Sequence, residues 1–184
     1  MNDALTRLVR VAPPGQAPAG SDWSGVAASL AIEALPPDYT ALADRYGGGH
    51  FDQYLCLLHP ACEVPDYNLF TVARRQAEAL PQLWAFEARP PQLEAPGTRA
   101  VPWAVTEDGE VLYWLVGPGR APAEWTVLVN EGRGPYWEHH DVGCAEFLVS
   151  LLTGERRSEV LASDLPGEHR FDPLPTGAGG PSGG

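Results

Sequence analysis

Lysine is absent from this chain. All 12 of its basic residues are arginine, and 24 acidic residues outweigh them for a net charge of −12. Without clustered cations a broad nucleic-acid interface is excluded, because neutralising a phosphate backbone takes concentrated Lys and Arg. The adjacent basic pairs are Arg74-Arg75 and Arg156-Arg157 alone. The missing lysine also removes a P-loop reading of Gly47-Gly48-Gly49, which follows a helical pattern where a phosphate cradle would precede one. Long apolar runs are lacking too: no stretch approaches the ~18 residues of a membrane span, and Arg7 and Arg10 are followed by no leader core. Cysteine is scarce and odd in number (Cys56, Cys62, Cys144), which argues against a disulfide framework and for a cytoplasmic chain with reduced thiols.

What the sequence does hold is glycine, proline and alanine in excess, consistent with GC-rich coding, over a length that suits one domain. Three parts are expected. Residues 1–21 are an N-terminal segment, with Leu5, Leu8 and Val9 at helical spacing, ending in a Pro/Ala/Gly linker. Residues 22–172 form the domain, and 173–184 are a Gly/Pro tail too poor in apolar side chains to order. Asp22 is a plausible cap for a helix over 23–34, with Val26, Leu30 and Ala34 inward beside Trp23. Residues 37–46 read as a short helix, with Pro37 in its first turn and Gly47 at its end. Residues 50–58 read as one buried strand. A longer helix capped by Asp66 or Asn68 runs to about residue 88, broken or kinked at Pro81. Residues 101–106 and 110–116 flank Glu107-Asp108-Gly109 as a hairpin. Strands over 125–130 and 136–140 follow, then a helix between Gly143 and Gly154. This order predicts an α+β fold: a single domain with an antiparallel, mixed-order sheet and helices packed around it.

Trp23, Leu35-Pro36-Pro37-Asp38-Tyr39 and Tyr46-Gly47-Gly48-Gly49 stand in an order and spacing that resembles the SMI1/KNR4 family of the SUKH superfamily. The Val101-Pro102-Trp103, Asp108-Gly109-Glu110, Leu112-Tyr113-Trp114 and 147–152 segments are similar as well, so the resemblance spans about residues 22–154. It implies the same architecture, and it implies a binding module: bacterial members are immunity proteins that neutralise cognate polymorphic toxins, frequently nucleases, and the fungal namesake is a regulatory scaffold. The motif residues Trp23, Leu35, Pro36, Tyr39, Tyr46, Gly47, Gly49 and Trp114 are assigned to the fold.

No catalytic, cofactor or metal site is expected. His139-His140 with Asp141 and Cys144 resembles a metal cluster in composition, but adjacent strand residues point to opposite faces. Cys56, His59 and Cys62 offer too few ligands for zinc. Cys144 near a helix start, with His139 or His140 as base, is a conceivable hydrolase pair without an orienting acid. The carboxylates Glu107, Asp108 and Glu110 read as solvated turn charge. The candidate binding surface is Tyr136-Trp137 among Glu131, Glu138 and Asp141, where alternation exposes one aromatic inside an acidic rim. The expected partner is a protein, a basic toxin domain, with no nucleic acid and no membrane involved. The chain is expected to be a non-catalytic immunity protein. A scaffold unlinked to any toxin is the alternative, and a Cys/His hydrolase the third reading.

Overall fold

Each of the first six strands of this chain lies beside the one before it, and the sheet is built largely in the order the sequence is read. The computed structural model describes residues 3–16, 18–132 and 134–177. Among them run helices α1 (Asp3–Val11), α2 (Trp23–Ser29), α3 (Pro37–Tyr46), α4 (Leu69–Leu83) and α5 (Cys144–Leu152). The strands are β1 (Gly49–Phe51), β2 (Leu55–Leu57), β3 (Arg99–Thr106), β4 (Val111–Val116), β5 (Thr126–Asn130), β6 (Trp137–His140) and β7 (Phe171–Pro173). They form one antiparallel sheet in the order β6-β5-β4-β3-β2-β1-β7, a single α+β domain. The expected mixed order is present, and it arises at one strand. Six strands are sequential neighbours, joined by short antiparallel connections except between β2 and β3, where α4 intervenes, and β7 departs by joining the far side of β1.

Alternation along β4 shows how the sheet is covered. Leu112 and Trp114 face one way, into a core with α1, α3 and α5, while Val111, Tyr113 and Leu115 face the other, toward Leu80 and Leu93. Pro102 sits where the β3–β4 register shifts, a bulge being one of the places where a strand tolerates proline.

The helix starting at Trp23 stops at Ser29, well short of residue 34. Ala31 adopts φ 53°, and the Ile32 and Ala31 N–H groups donate to Ala27 O and Ala28 O, which closes the end without a glycine. Leu30 is half-buried and Ala34 exposed, so the inward stripe is shorter than expected. The single strand expected over 50–58 is a hairpin, because Asp52 and Gln53 both take φ 55° between β1 and β2, the backbone of a tight primed turn. Helix α4 passes through Pro81 and ends at Leu83. The proline lies in the last turn, and the Trp84 N–H still bonds Leu80 O. Asn68 is its cap: Oδ1 accepts from the Phe70 and Thr71 N–H groups, and Nδ2 donates to Pro60 O and Cys62 O.

Both described ends of the chain are tied to the domain. Helix α1 packs on α5 with Leu8 fully buried, and Tyr46 OH donates to Ala12 O (2.8 Å). Residues 173–177 are hydrogen-bonded: the Leu174 N–H donates to Gly48 O, the Gly177 N–H to Ala61 O, and Thr176 bridges Cys62. Residues 178–184 of the tail lie outside the described residues.

Candidate functional site

The loop from β5 to β6 is organised by Asn130, which is buried. Its Nδ2 donates to Gly134 O and Tyr136 O, and its Oδ1 accepts the Gly132 N–H. Glu131 completes the turn by accepting the Tyr136 N–H on Oε1 (3.2 Å), while its own N–H donates to Tyr136 O. These bonds fix the backbone from which the Tyr136 ring projects, 66% exposed. Trp137, on the opposite face, is half-buried against Tyr113 (5.4 Å) and Trp84 (6.4 Å), so Tyr136 is the exposed member of the pair.

Of the expected acidic rim, Asp141 is exposed and Glu131 half-buried. Glu138 is committed inward. It accepts from Ser158 Oγ and the Glu159 N–H and pairs with His140 Nε2 (3.2 Å), which ties the segment after α5 to the edge strand. That is a correction: a carboxylate with those bonds is a structural clasp and no free rim charge.

The carboxylates read as solvated turn charge join this end of the sheet, and two of them, Glu107 and Glu110, are engaged by other side chains. In a meander the β1–β2, β3–β4 and β5–β6 turns fall on the same side. Here the Glu107 N–H donates to Tyr54 O, and a Cβ on Gly132 would collide with Gly109 O, so neighbouring turns touch. Asp108 is exposed there, beside Glu107, Glu110 and Glu131. Glu107 binds His50 Nε2 (2.8 Å) and Tyr67 OH (2.6 Å). The Tyr67 bond, then the His50 bond, hold its carboxyl below the usual range. Glu110 accepts from Thr106 Oγ1 and the Tyr54 hydroxyl, and burial pushes that phenol up to about 12. Arg170, also at this end, is paired with Asp172. The only sequence signal for the clustering was turn composition, since nothing in the spacing says that two turns abut.

The motif residues build the interior. Tyr39 OH donates to Leu58 O (2.7 Å), and its ring packs on Trp23 (5.9 Å) and Trp114 (4.8 Å). Trp23 Nε1 donates to Asp44 Oδ1, and Leu35 and Pro36 are buried. Tyr46 packs on Phe51 and Phe171. Gly47 ends α3 at φ 73°, and a Cβ on Gly49 would come within 2.5 Å of Asp172 O, so β7 can pair only because the residue is glycine. Asp38, from the same motif, has a role its position does not announce. It accepts the Tyr39 N–H on Oδ1 and, across the core, the Ala145 N–H on Oδ2 (3.1 Å), capping α5 where Gly143 has no side chain to do so.

The thiols are buried, and the two adjacent imidazoles face different partners. Cys56, Cys62 and Cys144 are free and buried, and burial raises all three thiol pKa values. At Cys144 the Asp38 carboxylate adds to that rise, the reverse of an activated nucleophile. His139 turns to Thr126 Oγ1 (2.9 Å) and His140 to the Phe147 ring (4.7 Å), on opposite faces of β6, and burial lowers both. Among the described residues no group of His, Cys, Asp and Glu is placed to hold a metal ion, and no helix is long and apolar enough to cross a membrane.

The described residues also form two hollows that the sequence does not announce, because their walls come from segments far apart in the chain. One, of about 450 Å³, runs between α4, the end of α2 and the start of β3. The other, of about 540 Å³, lies between residues 31–33 and the β4–β5 connection. They meet at Ala31 and Arg99, where Arg99 Nη2 donates to Ala31 O (2.7 Å).

No family model, curated protein or solved structure matches the chain.

Proposed function

We propose that this chain is a non-catalytic protein-binding module of SMI1/KNR4 type, an immunity protein that neutralises a cognate polymorphic toxin by occlusion. The observation that carries the reading is the acidic end of the sheet, with Tyr136 exposed on a turn held by Asn130 and Glu131 and with Asp108 exposed on the adjoining turn. An aromatic side chain on a fixed backbone loses little entropy on docking, and surrounding carboxylates steer a basic partner and fix its register. A toxin domain that acts on nucleic acid presents such a basic surface. Covering it blocks the substrate path with no chemical step. Buried, high-pKa thiols fit a role of this kind better than they fit a Cys/His hydrolase. Such a module works in the cytoplasm, where the toxin would act.

The test is co-expression with the toxic domain encoded by a neighbouring reading frame. The chain should restore growth and co-purify with the domain in equimolar amount. Tyr136→Ala and Asp108→Arg should each weaken the complex roughly tenfold or more, and the wild-type complex should weaken with added salt. Absence of any toxin-encoding neighbour would favour a scaffold unlinked to toxins. A complex indifferent to both substitutions and to salt would remove this face from the mechanism.

A further inference from the structure

The two hollows invert the charge of the molecule. Across the chain carboxylates outnumber arginines two to one, yet the described residues lining the hollows contribute Arg74, Arg99 and Arg120 against Glu33 alone. Arg74 and Arg120 are exposed and form no ion pair among the described residues. The nearby Glu124 carboxylate accepts the Ala121 N–H and forms no ion pair with Arg120 among the described residues. Arg99 lines both hollows, with Arg74 on one and Arg120 on the other. Cations so placed, without ion pairs among the described residues of so acidic a chain, are matched to negative charge in whatever lies over them.

The wall of the hollow of about 450 Å³ is apolar and elongated. Phe70, Ala73, Ala77, Leu80, Pro81 and Trp84 form one stripe of α4, with Pro102 and Val101 of β3 opposite. At 1.5 Å per residue the stripe from Phe70 to Trp84 is about 21 Å long. It leads past Ala31 into the second hollow. A groove of that length, apolar along its wall with cations set along it, suits a helix or extended segment laid lengthwise. The chain's own residues 178–184 carry no charge and would leave the arginines unmatched.

We infer that this groove is a second docking site, opposite in sign to the acidic sheet end, for an acidic amphipathic segment of a partner protein. The segment's apolar side chains lie along the α4 stripe, and its carboxylates meet Arg74, Arg99 and Arg120. The inference does not depend on the toxin reading, since a scaffold would use the groove in the same way.

The experiment is selection of a displayed library of random peptides, each about 15 residues long to match the groove, on the full chain, followed by affinity measurement with synthetic copies of the enriched peptides. The expected winners carry net negative charge and apolar residues at helical or alternating spacing. Ala77→Trp, on an exposed position of the groove wall, should reduce their affinity tenfold or more. Arg74→Glu and Arg120→Glu should each reduce it several-fold and flatten its salt dependence. Circular dichroism and the thermal midpoint confirm that each variant folds, and the two surface reversals keep the test valid should the tryptophan variant fail to fold. Failure to enrich any peptide overturns the inference, as does enrichment of neutral or basic ones or binding indifferent to all three substitutions. A concentration-dependent dimer of the free chain that Ala77→Trp dissolves would also overturn it, by assigning the groove to a second copy. Tyr136→Ala should leave peptide binding unchanged, so this result and the toxin test fail or succeed separately.

Discussion

Single residues carry stability here in ways that depend on their backbone or their burial. His59 is 1% exposed and accepts the Ala61 N–H on Nδ1, with no partner at Nε2 among the described residues. Burial lowers its pKa to about 4. In the unfolded chain the imidazole titrates near 6.5. Between those two values the unfolded state takes up a proton that the folded state refuses, so stability should fall as pH drops from about 6.5 to 4, by on the order of 3 kcal/mol. Urea titrations across that range check the slope, and His59→Gln should flatten it. His139 and His140, both lowered, push the same way and account for any slope left. Ala31 makes the opposite kind of statement. A non-glycine residue at φ 53° bears a steric cost of about 1–2 kcal/mol, partly offset in glycine by its looser unfolded chain. Ala31→Gly should therefore raise the thermal midpoint, by up to about 1 kcal/mol in stability; a lower midpoint would mean the conformation is unstrained.

Helices in this fold are tied at their ends by residues from elsewhere, and α5 is the clearest case. Its first turn is capped by Asp38 from α3, and a Cβ on Gly143 would sit 2.6 Å from the same Oδ2. Asp38→Ala should cost about 1–2 kcal/mol. Gly143→Ala should cost a similar amount by displacing the carboxylate, and the double variant should fall short of the sum, because both remove one interaction. Chemical denaturation of the four proteins closes that cycle. Much of the element plan was legible in the sequence. Glu107-Asp108-Gly109 marked the β3–β4 hairpin, the 125–130 run marked β5, and Gly143 and Gly154 bracketed α5. What was not legible turns on conformations that the residue types do not advertise. Ala31 and Asp52-Gln53 adopt left-handed backbone without glycine, so a helix end and a hairpin turn were invisible. β7 is three residues long and ends in proline, and α1 joins the core through Leu8 and the Ala12 carbonyl, pairings that no local pattern encodes. The candidate surface was half legible for the same reason. Alternation singled out one exposed aromatic, but the meeting of two turns and the inward use of Glu138 required the fold.

The molecule as a whole keeps its thiols inside and its charge sorted. With Cys56, Cys62 and Cys144 buried and their thiols pushed up, alkylation of the native protein should run roughly a hundredfold slower than that of a model thiol and should track unfolding. Fast native labelling of Cys144 would restore the hydrolase reading. The order of the sheet governs how that interior comes to be sealed. Strands β1–β2 and β3–β4–β5–β6 can zip as near neighbours along the chain, and β2 meets β3 across α4. By contrast, β7 must travel back across more than a hundred residues to lie on β1 and bring Phe171 against Tyr46 and Phe51. Low sequence separation favours early pairing, which makes β7 the late latch of an otherwise self-assembling meander. Amide exchange should find the β1–β7 ladder opening before the β4–β5 ladder. Gly49→Ala, which obstructs that ladder, should leave a partly closed protein whose aromatic seam takes up a hydrophobic dye while its central strands stay protected.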